Sequence, residues 1–220
     1  MRKNRIKMSD RNKEKTKRPA ILSLLKDVPN LVTLMGLSSG ILGIYFALTD
    51  NFPAAIIAML WAVLFDWYDG TIARRISGRS ETLKSIGNSM DSLVDIISLS
   101  VCPAIILLSY GDFSIWFLPG ALIIIITGVV RLAYFGNYGV DKDGTIGGLS
   151  LDITPLIMSV VFLLEGVLDK GIFIILLYSA LMVLAFLHVA PFRMRKMVGG
   201  WYYGITAFVL IMTVIYAFML

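Results

Sequence analysis

Long uninterrupted apolar runs limit how this sequence can fold more than any other feature. A transmembrane helix needs about 20 mostly apolar residues. Seven runs approach that length, at 31–48, 52–69, 89–110, 115–135, 151–168, 172–190 and 201–220. Apolar residues make up 57% of the chain and charged residues 16%, whereas a soluble domain has about 45–50% and about 25%. Because no run alternates like a barrel strand, we predict an all-α polytopic membrane protein, a bundle of six core helices plus a seventh.

The basic residues predict the orientation of these helices. Of the 20 Lys and Arg residues, 19 lie in the N-terminal segment or in and beside the loops after the second, fourth and sixth runs, and only Lys170 lies in the other loops. The positive-inside rule therefore places the N-terminus and those three loops on the cytoplasmic side of the cell membrane. Because this topology accounts for the net charge of +5, we expect no nucleic-acid partner.

Composition along the chain predicts four segments. Residues 1–18 are polar and basic, and we expect a disordered cytoplasmic tail. Residues 19–29 are expected to form an amphipathic helix on the membrane surface, because apolar side chains recur at helical spacing, at Ile21, Leu24, Leu25 and Val28. Residues 30–190 are expected to form the membrane domain. Residues 191–220 are expected to form a basic loop and an additional transmembrane helix.

Four aspartates at the ends of two runs are the candidate functional groups. Because the chain has one cysteine and one histidine, any metal must be held by oxygen ligands. Asp66 and Asp69 are three residues apart, and Asp91 and Asp95 are four apart, so each pair shares one helix face. A connection on the cytoplasmic side brings these two helix ends together. We therefore expect four carboxylates to converge at one depth.

Such a cluster needs a compensating positive charge. An intramembrane carboxylate costs roughly 2.5–3.5 kcal/mol on insertion scales. An all-oxygen site suits Mg²⁺ or Mn²⁺, and four aspartates can hold two such ions. Gly70, Ala73 and Gly87 leave room for a ligand beside the acids, and Arg74 can bind a phosphate. The alternative is that these acids cap helices or face the cytosol, and that Arg74 only sets the topology.

The sequence from Asp66 to Arg74, DWYDGTIAR, is followed by GNSMDSLVD from Gly87 to Asp95. These two stretches resemble the signature of the CDP-alcohol phosphatidyltransferases, D-x2-D-G-x2-A-R and then G-x3-D-x3-D. All eight defining residues are present. The chain departs from the pattern in one respect, because twelve residues separate Arg74 from Gly87 where the family usually has about eight. The extra residues add about one helical turn, so the face of the following helix can be kept.

This resemblance implies an activity and a set of roles. Members transfer a phosphatidyl-type group from a CDP-linked lipid to an alcohol and release CMP. By resemblance, Asp66, Asp69, Asp91 and Asp95 bind the metal ions, and Asp95 also takes the proton from the acceptor hydroxyl. Gly70, Ala73, Arg74 and Gly87 would line the nucleotide pocket. The stretch from Pro29 to Thr33 resembles a P-N-x-x-T opening, in which Asn30 and Thr33 would face the nucleotide.

The acceptor alcohol is predicted from a weaker similarity. The stretch RLAYF, beginning at Arg131, resembles an R-L-A-x-F stretch in the phosphatidylserine synthase branch. An arginine in an apolar helix is a functional candidate, and Arg131 would pair with the serine carboxylate or the lipid phosphate. The alternative is that the Arg131 side chain snorkels to the membrane surface and only sets the topology. Glycerol phosphate, inositol and inositol phosphate stay open as acceptors, and the lipid can be CDP-diacylglycerol or a CDP-linked ether lipid.

A function of another class is an ion-coupled transporter with acids inside the membrane. That function predicts acids near the bilayer midplane and broken helices there, whereas these acids lie at one edge of two apolar runs. We therefore predict a metal-dependent lipid phosphotransferase. We also expect a homodimer surrounded by membrane lipids.

Overall fold

The computed structural model describes residues 20–195, 197 and 199–220. The described residues form seven α-helices and two short strands. The helices are α1 (Val28–Leu48), α2 (Phe52–Arg75), α3 (Glu81–Tyr110), α4 (Leu118–Tyr138), α5 (Ile153–Phe162), α6 (Lys170–Val189) and α7 (Trp201–Ala217). The strands β1 (Thr145–Gly147) and β2 (Arg193–Arg195) pair antiparallel. The predicted tail, 1–18, lies outside the described residues.

Local sequence signals explain where the first three helices begin. A proline occupies the first turn of α1 and of α2, where its missing N–H is not needed. Asn51 caps α2 by accepting a hydrogen bond from the Ala54 N–H (3.2 Å), and Ser80 caps α3 through the Leu83 N–H (3.2 Å). Helix α3 contains a π-helical stretch, Ile97–Val101, just before Pro103. A widened turn fits this position because proline cannot donate the next hydrogen bond of a regular helix.

Five of the described helices are long and apolar enough to cross a membrane. They are α1, α2, α3, α4 with the 3-10 turn before it, and α6. The protein is therefore a predominantly helical membrane protein, as the composition predicts. Two further apolar helices, α5 and α7, are shorter.

The helix in the predicted run 151–168 is much shorter than the run. Helix α5 has 10 residues, which rise about 15 Å, against a hydrocarbon core of about 30 Å. The chain turns after Phe162, where the side chain of Glu165 accepts a hydrogen bond from the Tyr110 hydroxyl (3.3 Å). Gly166 follows in the same turn. This polar contact and the glycine end a helix that composition alone would continue.

The structure of the N-terminal segment also differs from the amphipathic helix predicted over 19–29. A 3-10 helix covers Ile21–Lys26, and α1 begins separately after Asp27. Six residues ahead of a proline leave little room for a regular helix. The apolar side chains of Ile21 and Leu25 are exposed, so this segment presents an apolar surface. Its position on a membrane stays a prediction.

Close backbone packing joins α1 to the neighbouring helices. Gly36, Gly40 and Gly43 follow one another at helical spacing and are buried. A Cβ atom added to Gly40 would lie 2.9 Å from the Cβ of Ser98, and one added to Gly43 would lie 2.9 Å from the sulfur of Cys102. These glycines therefore let α1 approach α3 more closely than any side chain would allow.

Helix α7 packs into the same apolar core as the other helices. Its buried residues in that core are Ile205, Val209, Met212 and Tyr216. Trp61 of α2 donates a hydrogen bond to the Thr213 hydroxyl (3.2 Å), and the Tyr68 and Thr206 hydroxyls lie 3.0 Å apart. Helix α7 is therefore attached to α2.

Replacing Gly40 with alanine tests the contact between α1 and α3. The added methyl group would overlap the side chain of Ser98, and the Ser98 Cα would lie only 3.0 Å from the added Cβ. We expect Gly40→Ala to lower stability by roughly 1–3 kcal/mol, the usual range for overpacking. Thermal unfolding in detergent measures the effect. Gly204→Ala is the control, because nothing lies within 4 Å of its added Cβ; equal melting temperatures for the two variants would contradict the packing.

Candidate active site

The short connection between α2 and α3 brings the four predicted aspartates together. Only residues 76–80 separate the two helices, and Gly78 turns the chain with a φ of 84°. Carboxylate oxygens of Asp66, Asp91 and Asp95 lie within 4.8 Å of one another. The side chain of Asp69 interacts with that of Asp91. All four aspartates line one cleft, so the two helix faces meet as their spacing predicts.

The chemistry of this cleft suits a hard divalent cation. Asp66, Asp91 and Asp95 are partly buried and supply only oxygen ligands. Apolar side chains form much of the remaining wall, among them Ala62, Val94 and Leu99. Carboxylates held together in apolar surroundings repel one another, and a bound cation removes that repulsion. The residues present therefore fit a metal site.

Thr33 supports the aspartate cluster from α1. Its side chain is buried, and its hydroxyl hydrogen-bonds to the carboxylate of Asp69. The same hydroxyl lies 3.1 Å from the Pro29 carbonyl. The structure places Thr33 against Asp69 on the wall of the cleft, and its contact with the nucleotide stays a prediction. Thr33 therefore fixes the orientation of one of the acids.

Asn30 and Gly87 are neighbours on the N-terminal side of the cleft. The amide nitrogen of Asn30 donates to the Leu24 carbonyl (3.2 Å). Its carbonyl oxygen is buried and has no hydrogen-bond partner among the described residues. A Cβ added to Gly87 would lie 3.1 Å from that oxygen and 3.1 Å from a guanidinium nitrogen of Arg79. A side chain at Gly87 would therefore crowd both the Asn30 oxygen and the Arg79 guanidinium.

Arg79 ties the N-terminal segment to the loop before α3. Its guanidinium donates two hydrogen bonds to the carboxylate of Asp27 (3.2 and 2.5 Å). The two side chains are only 7% and 12% exposed. A bidentate pair with so little exposure is stronger than a surface ion pair. The sequence pattern does not indicate this contact, because Asp27 and Arg79 are 52 positions apart.

Arg74 lies at the end of α2, near the partly buried Gly70 and Ala73. A Cβ added to Gly70 would lie 3.4 Å from a guanidinium nitrogen of Arg74. The exposed side chain of Arg74 donates to the Thr71 hydroxyl (3.2 Å) and to the Tyr202 hydroxyl (2.7 Å). The Tyr202 ring also packs edge-on against Trp67, with 5.2 Å between ring centroids. The sequence pattern does not indicate the contact between Arg74 and Tyr202, because the two residues are 128 positions apart.

Arg131 is buried, with 6% of its surface exposed, so it does not snorkel to solvent. Its Nε donates to the Leu149 carbonyl (3.2 Å), and its guanidinium carbon lies 4.9 Å from the centre of the Phe135 ring. Asp152, Asp95 and Asp66 attract it electrostatically, in decreasing order of strength. Arg131 therefore belongs to the polar surroundings of the aspartate cluster.

His188 completes the polar surroundings of Arg131. Its Nδ1–H donates to the Leu149 carbonyl (3.1 Å), and its Nε2 lies 2.8 Å from the Thr154 hydroxyl. Both ring nitrogens therefore have partners, and the neutral ring accepts from Thr154. His188 fixes the Leu149 carbonyl that Arg131 also contacts.

Comparison with known proteins identifies the family. A family model described as CDP-alcohol phosphatidyltransferase matches residues 26–186. The chain belongs to this family. The family resemblance predicted from the motif is therefore confirmed, and all eight motif residues lie inside the matched segment. Helix α7 lies outside it.

Named relatives come from archaea and bacteria. The chain is 38% identical over 161 residues to the archaetidylserine synthase of Methanothermobacter thermautotrophicus, covering 71% of this chain and 66% of that protein. It is 26% identical over 126 residues to the CDP-diacylglycerol–serine O-phosphatidyltransferase of Bacillus subtilis, covering 56% and 68%. A protein of the latter name from Methanocaldococcus jannaschii is 32% identical over 121 residues, covering 54% and 53%. The chain thus spans about half to two thirds of the length of these relatives.

Family membership gives the cleft a coarse chemical assignment. CDP-alcohol phosphatidyltransferases act on CDP-linked lipids and small alcohols, and they generally depend on divalent metal ions. The described structure contributes a cluster of acidic residues that can hold such an ion. The identity and number of the ions belong to the proposal below.

Replacing Asp91 tests whether the cleft binds a divalent cation. We expect Mn²⁺ to raise the melting temperature of the purified protein in detergent, because a ligand that binds only the folded state stabilises it. Asp91→Asn removes one charge from the cluster and should reduce this shift by more than half. Asp50→Asn is the control, because Asp50 is exposed at the far end of α1. A full Mn²⁺ shift in Asp91→Asn would contradict a cation site at the cluster.

Proposed function

We propose that this protein transfers a phosphatidyl-type group from a CDP-linked lipid to the hydroxyl of L-serine and releases CMP, as a step of phospholipid biosynthesis. The lipid is CDP-diacylglycerol or a CDP-linked ether lipid. The observation that carries the proposal is the convergence of Asp66, Asp69, Asp91 and Asp95 on one cleft, in a segment that matches the family model. The names of the relatives support serine as the acceptor.

The four aspartates would hold two ions of Mg²⁺ or Mn²⁺. When bound, such ions neutralise the charge of a pyrophosphate and stabilise the departing CMP. The hydrogen bond from Thr33 keeps the carboxylate of Asp69 in place. A ligand set fixed in advance loses little entropy on binding, so Thr33 supports the metal affinity of the cleft.

Asp95 is the proposed general base. It lies in the cleft beside Asp66 and Asp91 and would accept the proton of the serine hydroxyl. The serine oxygen then forms a bond to the lipid-bearing phosphorus, and the bond from that phosphorus to CMP breaks. CMP leaves with the bonding electron pair. A carboxylate is a weak base, so the hydroxyl must lie within hydrogen-bond distance of it.

The nucleotide would bind in and beside the cleft at seven positions, which are Asn30, Thr33, Asp66, Gly70, Ala73, Arg74 and Gly87. The side-chain oxygen of Asn30, which has no partner among the described residues, can accept a hydrogen bond from a ligand N–H. Arg74 can bind a phosphate oxygen, and its bond to Tyr202 limits where the guanidinium can move. These positions lie on α1, α2 and α3, and Tyr202 of α7 contacts one of them, Arg74.

Arg131 would bind the carboxylate of the acceptor. A buried guanidinium with one fixed hydrogen bond, to Leu149, retains donors for a ligand and matches carboxylate geometry.

We propose that the active site and the N-terminus face the cytoplasm, that Ile21–Lys26 lies on the membrane surface, and that two copies form a homodimer in lipid. We also propose that the chain divides into four segments, with boundaries after residues 18, 29 and 190.

Release of CMP tests the function directly. Purified protein is incubated with CDP-diacylglycerol, Mn²⁺ or Mg²⁺, and one alcohol at a time. We expect CMP release with L-serine and much less with inositol, inositol phosphate or glycerol phosphate. A chelator should abolish it. Release with another alcohol but not with serine would contradict the acceptor, and no release with any of them would contradict the transfer reaction.

Replacing Asp95 tests the general base. Asp95→Asn keeps the size of the side chain but removes its basicity, so we expect kcat to fall by about 1,000-fold, in the middle of the roughly 100- to 10,000-fold range for general acid–base catalysis. Binding of the CDP-linked lipid, measured by equilibrium dialysis, should remain within a few-fold of wild type. Asp169→Asn, an exposed change before α6, is the control. Full activity in Asp95→Asn would exclude this residue as the base.

Replacing Arg131 tests the acceptor site. Arg131→Ala should raise the KM for serine by roughly 10- to 100-fold, which is the effect of losing a hydrogen bond to a charged group. The KM for the CDP-linked lipid should stay within about three-fold of wild type. Arg193→Ala is the control, because Arg193 forms only a surface ion pair with Asp141 (3.5 Å). An unchanged serine KM would remove Arg131 from the acceptor site.

A further inference from the structure

Asp152 is a buried carboxylate that no motif assigns. It is 6% exposed and stands immediately before α5. An aspartate at this position usually caps the helix, yet the Asp152 side chain makes no capping hydrogen bond. Its Oδ2 accepts a hydrogen bond from the Trp67 indole (2.8 Å). Its Oδ1 is buried and has no hydrogen-bond partner among the described residues.

The surroundings of Asp152 connect it to the active site. The hydrogen bond from Trp67 joins Asp152 to α2, the helix that carries Asp66. Asp152 acts electrostatically on Asp66, Asp95 and Arg131. His188 is a further titratable neighbour of Asp152. The ion pairs of the described residues do not include one between Arg131 and Asp152, although both side chains are buried.

We infer that Asp152 binds the ammonium group of the acceptor amino acid, opposite Arg131, which binds its carboxylate. This inference rests on the proposed function and assigns the groups that recognise serine. Serine is a zwitterion, so its complete recognition needs one cationic and one anionic group. Arg131 supplies the first, and the motif aspartates are committed to metal ions. Asp152 is the buried carboxylate nearby that remains for the second.

Burial explains why such a contact would be selective. A buried carboxylate oxygen without a partner costs free energy, and a ligand N–H that fills the position recovers it. An acceptor without an ammonium group would leave Oδ1 unpaired. Sites built to hydrogen-bond a polar group of the substrate reject analogues that lack it strongly. Asp152 would therefore favour binding of serine over binding of uncharged polyols and of hydroxy acids.

Two other roles for Asp152 make different predictions. If it only fixed Trp67, an amide would replace it without loss, because an amide oxygen also accepts a hydrogen bond from the indole. If it were a metal ligand, its loss would lower the affinity for Mn²⁺. Binding of ammonium instead requires the negative charge and leaves the metal affinity unchanged.

The test compares acceptors that differ by one charged group. CMP release is measured with L-serine and with 3-hydroxypropanoate, which has the hydroxyl and carboxylate but no ammonium. Asp152→Asn should raise the KM for serine by roughly 10- to 100-fold, the effect of losing a charged hydrogen bond. Its kcat, its KM for 3-hydroxypropanoate and its Mn²⁺ dependence should stay within about three-fold. Asp50→Asn is the matched control at an exposed position.

A second measurement needs no variant. L-alanine has both charges of serine but no hydroxyl, so it should inhibit wild-type protein competitively against serine. Propanoate lacks the ammonium and should inhibit at least 10-fold less well. Equal inhibition by the two compounds would overturn the inference, even if Asp152→Asn failed to fold.

The outcomes separate this inference from the function on which it rests. If wild-type protein does not use serine, the proposed function fails and the inference fails with it. If wild-type protein uses serine but Asp152→Asn keeps the wild-type ratio of KM values for serine and 3-hydroxypropanoate, only the inference is overturned. A selective loss of serine binding supports both.

Discussion

The crowding of four carboxylates between α2 and α3 is the constraint on which the rest of the structure depends. Like charges in a partly apolar cleft repel one another, so the helices must be held together by contacts elsewhere. Glycines on α1 allow close packing against α3, and Thr33 orients Asp69. Helix α7 packs against α2. The fold thereby supplies the rigidity that a preformed cation site requires.

Much of this arrangement could be predicted because its signals are local. Apolar runs of sufficient length indicate helices, and spacings of three and four residues put each aspartate pair on one helix face. The turn at Gly78 joins those faces across few residues. Helix α5 could not be predicted in the same way. Leu163, Leu164 and Val167 continue its apolar composition, and the contact that ends it, from Tyr110 to Glu165, joins residues 55 positions apart.

The parts of the site that sequence reasoning missed depend on contacts between distant segments. Tyr202 reaches Arg74 across 128 positions, and Asp152 reaches Trp67 across 85. No sequence pattern near Tyr202 or Asp152 indicates these contacts, so no spacing rule identifies either residue. A buried polar atom without a partner, visible only after folding, is the signal that distinguishes Asp152 from an ordinary helix-end aspartate.

The pair between Asp27 and Arg79 has a mechanical consequence. It fastens the apolar N-terminal segment to the loop beside Gly87, and the Asn30 amide is bonded to Leu24 within that segment. A displacement of Ile21–Lys26 must therefore break these bonds or carry Asn30 and Arg79 with it. With this short segment on the membrane surface, as proposed, lateral pressure or headgroup packing would be transmitted to the proposed nucleotide site as strain, without any change in the four aspartates.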